Sequence, residues 1–451
     1  MKNILINKLL SAILAILTAF SFSPPAQERC EPAFTGTFLQ SWLSCTWDDE
    51  RWEAEVAAMQ KAGIHTLILQ TCASKSGRAD GGRWSLYYNS ELETFKNAVR
   101  YRDVIEPALR HCSGSGIKVF IGLCDFDDFW TEVAYTSQYY DVCGVAADMA
   151  EEIYGKYRDL YPDAFGGWYF PLEISNSVTN HFNTFGLCTG LNTVIDRVNS
   201  LDPLLPLMLS PYSSDYLSLG SLASAIDWIE LLKFSHLRDG DIFAPQDAIG
   251  AGNVSEKNLR KNWEIYRHAV DSCNTELQLW ANCESFTLSH ECSVLSGIFA
   301  PAATENTKSV TASLERFVSQ MKLASKYCDN IITFSYNHYL SPNIVSPIFM
   351  ETYFDYIENG CVLEKNAPSA VPDFNKEQVS EGVLLTWTEA EDDFGIAYYR
   401  ICMDGKFLTR IEQCFTDVDN SFLVEDGAIG SDYTIVAYDA AGNASVVSYA
   451  A

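Results

Sequence analysis

Residues 166–176 read GGWYFPLEISN, and this stretch decides the fold. Residues 168–172 form a short apolar run between turn residues, which is typical of a strand buried on both faces. The run ends on one carboxylate, Glu173. A carboxylate is costly there unless the strand end opens into a polar cleft, and in a parallel α/β barrel the carboxyl ends of the strands line the active site. The stretch therefore predicts a catalytic Glu173. A structural glutamate that caps the next helix is the alternative.

The same order of strand and helix recurs on both sides of this stretch. The predicted strands are residues 34–42, 65–72, 118–125, the run ending at 173, 205–212, 241–247, 276–284 and 330–338. The predicted helices are residues 48–63, 92–112, 144–161, 188–202, 221–236, 254–273, 310–328 and 347–359. Eight such units predict an α/β fold, the (β/α)8 TIM barrel. A doubly wound open sheet lacks support, because no glycine-rich phosphate loop follows the first strand.

The composition changes at residues 364–372, EKNAPSAVP, and the pattern beyond them alternates with the period of strands. Residues 382–388, 397–402 and 433–438 read as short strands, and Asp404-Gly405 is a hairpin signal. The sequence therefore predicts a barrel over residues 30–362, a linker over 363–371 and a small all-β sandwich over 372–451.

The N-terminal residues indicate where the protein is located, and the net charge indicates which binding partners are disfavoured. Residues 1–26 show the order of a secretory signal, with Lys2 and Lys8 before an apolar stretch and Ala26 at the expected cleavage site. We expect a secreted or cell-surface protein without membrane insertion after cleavage, since no later segment reaches ~18 apolar residues. The net charge of -28 disfavours nucleic acid and anionic membranes as partners.

Cysteine and catalytic motifs exclude several classes of site. The chain has 14 Cys and no CxxC pair, which argues against zinc-ribbon and thioredoxin chemistry. Cys72 and Cys124 fall in predicted strands, where a thiol packs as a small apolar group. Neither HExxH nor GxSxG occurs, so metalloprotease and serine esterase functions have no motif to start from. We predict no metal site and no cofactor. Disulfide connectivity and oligomeric state stay open.

Carboxylates end two of the predicted strands, Glu173 on strand four and Glu284 on strand seven. Glycoside hydrolysis needs two carboxyl groups on either side of the scissile bond, one protonated and one ionised. Burial and mutual repulsion separate the pKa values of such a pair, which sets the two roles. The sequence predicts a glycoside hydrolase acting on a poly- or oligosaccharide. A barrel that binds carbohydrate without catalysis is the alternative.

Polar and aromatic residues near the strand ends are the predicted substrate-binding groups. Amides bond sugar hydroxyls and ring faces pack on the apolar faces of sugars, although alternation along a strand places about half of such residues in the barrel core. The predicted set is Gln40, Trp42, Gln70, Asp125, Trp130, Asn176, Tyr212, Gln246, Asp247, Trp280, Asn282, Tyr336 and His338. For His338, orienting a carboxylate and a satisfied barrel-mouth histidine are equal alternatives.

The pairing of Glu173 with Glu284 resembles the large clan of retaining glycoside hydrolases built on (β/α)8 barrels. That resemblance implies a retaining mechanism, with Glu173 as the acid/base and Glu284 as the nucleophile. The clan has Asn directly before the acid/base, whereas this chain has Leu172, and its nearest amide is Asn176. This departure favours the non-catalytic alternative.

Two further resemblances cover most of the chain. TGTFLQ at residues 35–40, AGIHTLILQ at 62–70 and WYFPLEI at 168–174 resemble the secreted bacterial barrels called domain of unknown function 4434, which are regarded as glycoside-hydrolase-like. The resemblance implies the fold more firmly than a substrate. LTW at 385–387, YRI at 399–401, YTIVAY at 433–438 and DAAGN at 439–443 resemble fibronectin type III modules of secreted bacterial enzymes.

Overall fold

Eight parallel strands close into a barrel in a computed structural model that describes residues 27–130, 137–175, 183–214, 221–288, 309–413, 420–425 and 427–451. The strands are β1 Gly36–Leu39, β2 Thr66–Leu69, β3 Lys118–Gly122, β4 Phe165–Phe170, β5 Leu207–Leu209, β6 Ile242–Phe243, β7 Gln278–Glu284 and β8 Asn330–Phe334. Each strand pairs with its neighbours in the chain, and β1 pairs with β8. The predicted (β/α)8 barrel is confirmed.

Helices surround the barrel, one after each strand. They are α1 Asp49–Lys61, α2 Ile105–Cys112, α3 Ser137–Tyr157, α4 Thr184–Leu201, α5 Ser221–Phe234, α6 Glu256–Asp271, α7 Leu314–Ala324 and α8 Ile348–Glu358. The first turn of α1 shows why a helix begins where it does, because the Asp48 side chain accepts the N–H of Arg51 at 2.9 Å. The helices place the carboxyl ends of all strands at one mouth.

The two faces of each strand have different partners. Trp168 and Phe170 on β4 point outward and pack in the layer between barrel and helices, while Tyr169 points inward. The inward side chains form one cluster that fills the barrel, to which every strand contributes: Phe38, Ile68, Phe120, Tyr169, Met208, Ile242, Trp280 and Ile332. Residues two positions further along each strand face the same interior, nearer to the mouth.

The helix predicted over residues 92–112 is wrong in its first half. Residues 93–95 form a single 3-10 turn, and Val99–Arg100 is a short strand that pairs with Trp84–Leu86. The helix begins only at Ile105, because the Asp103 carboxylate accepts the N–H groups of Ile105 at 2.9 Å and Glu106 at 3.2 Å. A local cap thus overrides the periodicity.

A small four-stranded sheet lies beside the mouth, and the sequence analysis did not anticipate it. The strands, in order across the sheet, are Val99–Arg100, Trp84–Leu86, Ala73–Lys75 and Cys124–Phe126. The predicted barrel strand 118–125 therefore ends at Gly122, and Asp125 belongs to the side sheet, where it pairs with Ser74.

The last part of the chain forms two antiparallel sheets around a core of their own. One sheet holds β9 Asn375–Val379, β10 Gly382–Thr386 and β13 Ser421–Glu425. The other holds β11 Ile396–Met403, β12 Lys406–Glu412, β14 Tyr433–Asp439 and β15 Ser448–Tyr449. The predicted hairpin at Asp404-Gly405 is confirmed, since both residues have positive φ and join β11 to β12.

Three observations concern the other sequence predictions. Cys72 and Cys124 are buried as expected, and the twelve cysteines within the described ranges are free thiols. In the part of the chain that the structure describes, no helix is long and apolar enough to cross a membrane. Over the same residues, no group of three or more His, Cys, Asp and Glu side chains is arranged to hold a metal ion.

Candidate active site

Backbone hydrogen bonds hold the ends of β4, β5, β6 and β7 side by side. Tyr212 donates its N–H to the Ile174 carbonyl at 2.9 Å, and Gln246 donates its N–H to the Pro211 carbonyl at 2.9 Å. Asp247 continues the series with a bond to the Asn282 carbonyl at 3.0 Å. Four strand ends that are far apart in the sequence thus form one continuous rim.

Glu173 lies on this rim at the end of β4. Burial raises the pKa of Glu173 to about 7, a hydrogen bond from the Gln246 side chain lowers it, and the charge of Asp125 raises it. The preceding residue, Leu172, is 5% exposed and packs in the core. The amide beside Glu173 therefore comes from β6 and not from the residue before it.

Glu284 lies across the rim at the end of β7 and is 4% exposed. Its carboxylate Oε2 accepts the N–H of Ala251 at 2.8 Å. Burial raises the pKa of Glu284 to about 8, and the charges of Asp247 and Glu173 raise it further, whereas the Ala251 N–H and Arg316 lower it. A buried carboxyl that feels two other carboxylates is a candidate catalytic group.

Asp247 supports Glu284 from behind. It is 1% exposed, and its Oδ1 accepts the N–H groups of Glu284 at 3.3 Å and Ile249 at 3.2 Å. Its Oδ2 accepts a bond from Gln320, whose amide also donates to the Glu284 carbonyl at 3.2 Å. Burial raises the pKa of Asp247, and the bond from Gln320 lowers it. Asp247, which was predicted to bind substrate, therefore helps to hold Glu284 in place.

The loop after β6 approaches Glu284 so closely that it needs a glycine. A Cβ added to Gly250 would lie 2.4 Å from the Phe286 carbonyl oxygen and 3.0 Å from Glu284 Oε2. This close approach presents the Ala251 N–H to the carboxylate. The GAG sequence at residues 250–252 was the available signal in the sequence, because glycine near a strand end marks close backbone contact.

Amides form the floor beneath the two glutamates. Asn282 donates from Nδ2 to Ser210 Oγ at 3.2 Å, and Gln246 donates from Nε2 to the Ser210 carbonyl at 3.3 Å. The Asn282 Oδ1 is buried and has no hydrogen-bond partner among the described residues. Gln40 and Gln70 follow the inward Phe38 and Ile68 by two positions, and both are half-buried. These groups can bond sugar hydroxyls.

Aromatic rings form the opposite side of the mouth. Trp42 is 56% exposed and meets the His338 ring edge-on, with centroids 5.2 Å apart. Phe286 contacts Tyr339 and Phe334 with centroid distances of 5.4 and 6.2 Å. Together these residues offer ring faces beside the carboxylates.

His338 is a neutral member of that aromatic side. Burial lowers the pKa of His338 to about 4, so its imidazole is uncharged near neutral pH. Its Nε2 is buried without a hydrogen-bond partner in the described ranges. The histidine therefore presents an unused polar atom within an apolar wall.

Both glutamates act on Tyr212, which lies at the end of β5. Burial raises the pKa of Tyr212 first, and the charges of Glu284 and Glu173 raise it further. The charge of Glu173 also raises the pKa of Glu284. The structure therefore brings both predicted catalytic residues and Tyr212 into one electrostatic cluster.

Several predicted residues lie elsewhere. Trp280 lies in the barrel core, four positions before Glu284 on β7, and donates from its indole to Gln278 at 2.9 Å. Tyr336 is 1% exposed and packs outside the barrel beside Phe34, because a helical turn over Tyr336–Tyr339 replaces the end of the predicted strand.

Asp125 lies on the side sheet, where it pairs with Ser74. It lies close enough to raise the pKa of Glu173 by its charge, and burial raises its own pKa to about 6. The side chain of Trp130 and the whole of Asn176 lie outside the described residues. Their predicted contacts with substrate stay predictions.

Sequence reasoning missed the residues of α7 that hold the site. Arg316 donates to the carbonyls of Glu284, at 3.4 Å, and Phe286, and Gln320 one helical turn later holds Asp247. Arg316 and Gln320 stand four positions apart and thus share one face of the helix. The spacing of these two residues can be read from the sequence, but their contacts with Glu284 and Asp247 cannot.

The comparisons with known proteins agree with this barrel. The family model described as "Domain of unknown function (DUF4434)" matches residues 34–346. No curated protein matches the sequence.

Solved structures align with this chain at low sequence identity. A Bacteroides thetaiotaomicron VPI-5482 protein provisionally named an alpha-L-fucosidase aligns with a TM-score of 0.57 and 19% identity, over 76% of this chain and 97% of its own. Chitinase ChiA74 from Bacillus thuringiensis aligns with a TM-score of 0.42 and 10% identity, over 92% and 84% of the two chains. The Bacteroides uniformis beta-glucuronidase gives 0.42 and 10%, over 92% and 45%. The first of these similarities shows a shared fold.

Proposed function

We propose that this chain, which belongs to the DUF4434 family, is a retaining glycoside hydrolase that acts on a poly- or oligosaccharide. One observation carries the proposal. Two glutamates 111 positions apart in the numbering (173 and 284) lie on the same rim of strand ends, where each has a raised pKa and the charge of Glu173 raises the pKa of Glu284. Such a pair is the chemical requirement of glycoside hydrolysis.

Each glutamate has one role in the proposed reaction. Protonated Glu173 gives its proton to the glycosidic oxygen as the bond to the anomeric carbon breaks. Ionised Glu284 forms a bond to that carbon, which gives a glycosyl ester. Glu173, now ionised, takes a proton from water as the water attacks the ester. The sugar leaves with its original anomeric configuration, and both carboxyl groups return to their first state.

The pKa values of the two glutamates allow both roles. Burial raises the pKa of Glu173 to about 7 and that of Glu284 to about 8, so the pair holds a proton near neutral pH. The reactive form carries that proton on Glu173 and leaves Glu284 ionised. Position in the barrel supports this assignment of the two roles.

Glycan hydrolysis by matched variants tests the proposal. Wild type, Glu284→Gln, Glu173→Gln and the exposed control Glu53→Gln are assayed on a panel of oligosaccharides and aryl glycosides. We expect Glu284→Gln to lose turnover on the order of 10⁴-fold and Glu53→Gln to keep it. Unchanged hydrolysis by Glu284→Gln would reject the catalytic role.

Covalent trapping tests the roles separately from the rate. A 2-deoxy-2-fluoro glycoside with an activated leaving group forms a slowly hydrolysed ester with the nucleophile, and peptide mass spectrometry locates it. We expect the label on Glu284. A label on Glu173 would reverse the two roles, and inverted anomeric configuration of the product would exclude the double-displacement mechanism.

A non-catalytic carbohydrate-binding barrel is the second candidate. The buried Leu172 favours it, because the amide that precedes the acid/base in the resembling clan is missing. Calorimetry against the same glycans distinguishes the two. Binding that is equal in wild type and Glu284→Gln, without turnover by either protein, would establish the second candidate.

We also propose export and the identity of the second module. The charged and apolar order of residues 1–26 supports a cleaved secretory signal, and the DAAGN and YTIVAY segments support a fibronectin type III-like sandwich. N-terminal sequencing of the protein recovered from outside the cytoplasm tests the first proposal. A first residue near 27 is expected, and an intact residue 1 would contradict it.

A further inference from the structure

We infer that the C-terminal sandwich is a positioning part of the active site, which acts through helix α7 on Glu284. A spacer or separately tethered module would touch the barrel weakly. Here the loop over residues 439–443 is hydrogen-bonded to the first turn of α7. This helix also supplies Arg316 and Gln320. The inference rests on the proposed function only for its effect on hydrolysis.

The sandwich supplies the N-terminal cap of α7. Leu314 donates its N–H to the Ala440 carbonyl at 2.8 Å, and Glu315 donates its N–H to the Ala441 carbonyl at 2.8 Å. The first N–H groups of a helix have no partner within the helix. Ser313 stands at the N-cap position and its side chain makes no capping bond. Two sandwich carbonyls therefore do the work that a capping side chain does in other helices.

The capping loop is packed against the barrel and fixed in shape. Ala440 is fully buried and belongs to the same apolar cluster as the barrel core. The Asp439 Oδ1 accepts the N–H groups of Gly442 at 2.6 Å and Asn443 at 2.8 Å. Asn443 in turn donates to Glu364 of the linker at 2.9 Å. The loop is thus held by both domains and by the segment between them.

Gly442 is the position where the fit is tightest. Its φ is +109°, which L side chains rarely adopt. A Cβ there would lie 3.2 Å from the Cβ atoms of both Ser313 and Glu315, on the turn that the loop caps. A larger residue at this position would therefore push the sandwich away from α7. A second contact lies nearby, where Arg410 of the sandwich donates to the Thr311 carbonyl at 3.3 Å.

Helix α7 carries the contact to the main chain of Glu284 and to Asp247. Arg316 directly follows the capped Glu315, and its guanidinium bonds the carbonyls on either side of Ser285. Gln320 bonds both the Asp247 carboxylate and the Glu284 carbonyl. The sandwich is therefore linked to Glu284 in three steps. The loop over residues 439–443 caps α7, the helix holds the Arg316 and Gln320 side chains, and these side chains bond the Glu284 carbonyl.

Hydrogen exchange of the full chain tests the coupling without any substrate. Gly442→Leu adds a side chain at the interface. Gly405→Leu is the matched control, since Gly405 also has positive φ, +74°, in the sandwich but has nothing within 4 Å of an added Cβ. We expect peptides covering residues 311–324 and 247–252 to exchange about tenfold faster in Gly442→Leu and at the wild-type rate in Gly405→Leu.

The pH profile tests the step to catalysis. Arg316 lowers the pKa of Glu284, so loosening Arg316 raises it. The acid limb of kcat/KM on an aryl glycoside is expected to move to higher pH in Gly442→Leu and to stay in place in Gly405→Leu. If wild type hydrolyses no glycan, the proposed function fails, while the exchange experiment still decides the coupling.

A milder variant guards against loss of folding. Gly442→Ala places one methyl group at 3.2 Å from its neighbours, and we expect the same changes at reduced size. Exchange over residues 311–324 that is unchanged in folded Gly442→Leu, or raised equally in Gly405→Leu, would overturn the inference. Unchanged exchange in Gly442→Ala together with an unfolded Gly442→Leu would also overturn it.

Discussion

The barrel mouth has two unlike halves. The ends of β4 to β7 form a polar half, in which carboxylates and amides are held by backbone and side-chain hydrogen bonds: Glu173, Gln246, Asp247, Asn282 and Glu284. The segments after β8 and β1 form an aromatic half, with Trp42, His338, Tyr339 and Phe334. Asp247, Asn282 and Glu284 of the polar half are buried, whereas Trp42 in the aromatic half is 56% exposed.

The difference separates two tasks of a glycosidase. A carboxylate works only if its distance and pKa are fixed, so each member of the polar half has a second residue behind it. A ring that stacks on a sugar face needs area and little angular precision. We therefore expect changes in the polar half to alter kcat or the pH profile and changes in the aromatic half to alter KM.

After the loss expected for Glu284→Gln, the largest effect lies in the polar half at Glu173. Glu173→Gln removes the proton donor, so kcat/KM should fall by 10²- to 10⁴-fold for substrates with poor leaving groups. Aryl glycosides whose leaving group needs no protonation should keep kcat/KM, and azide should restore their turnover. Steady-state kinetics over a series of aryl leaving groups checks this. An equal loss for every leaving group would remove Glu173 from the acid/base role.

Glu284 should also make the stability of the fold depend on pH. Its pKa is about 8 in the folded chain against an ordinary value of 4.5, so the native state holds a proton that the unfolded chain releases between these values. Stability is therefore complete below about pH 4.5 and falls as the pH rises to about 8. Glu284→Gln removes this loss, which we expect to reach about 5 kcal/mol.

Thermal unfolding at pH 5 and pH 9 measures that effect. Glu284→Gln should raise Tm by a few degrees at pH 9 and change it little at pH 5, while the exposed control Glu53→Gln should match wild type at both. If Glu284→Gln lowered Tm at pH 9, the ionised carboxylate would stabilise the fold, and the expected cost of its burial would be wrong.

The two halves also differ in what the sequence could reveal. Strand ends are marked by apolar runs that stop at turn residues, so Glu173, Gln246, Asp247 and Glu284 could be placed on one rim from the order of units alone. The layer rule for alternating strands also indicates that Trp280 belongs to the core, which the sequence prediction did not use. These features could be predicted because the periodicity of apolar residues depends only on neighbouring positions in the sequence.

Long-range contacts have no such signal. The turn over residues 336–339 moves Tyr336 out of the cleft, and the side sheet takes Asp125 out of the barrel strand. The support of Glu284 comes from Arg316 and Gln320, which are remote in sequence and resemble any polar pair on a helix face. These features follow from packing that only the assembled fold defines.

Asp247 tests whether the support sets the charge state of the polar half. Asp247→Asn keeps oxygen acceptors for the N–H groups of Glu284 and Ile249 and removes the charge that, after burial, most raises the pKa of Glu284. The pKa of Glu284 should fall, so the acid limb of kcat/KM should move down by about one pH unit. The exposed Asp239→Asn is the control. An acid limb that stays in place would show that Asp247 acts only by position.

The smallest expected effect belongs to the aromatic half. Trp42→Ala removes an exposed ring without touching a carboxylate, so KM should rise about three- to tenfold and kcat should stay within a factor of two. Tyr449→Ala is the control, because Tyr449 is 72% exposed on the sandwich. Trp42→Phe should restore most of the affinity, since a ring face remains. A fall in kcat at constant KM would place Trp42 with the catalytic groups, and the division of the mouth into a chemical and a binding half would then be wrong.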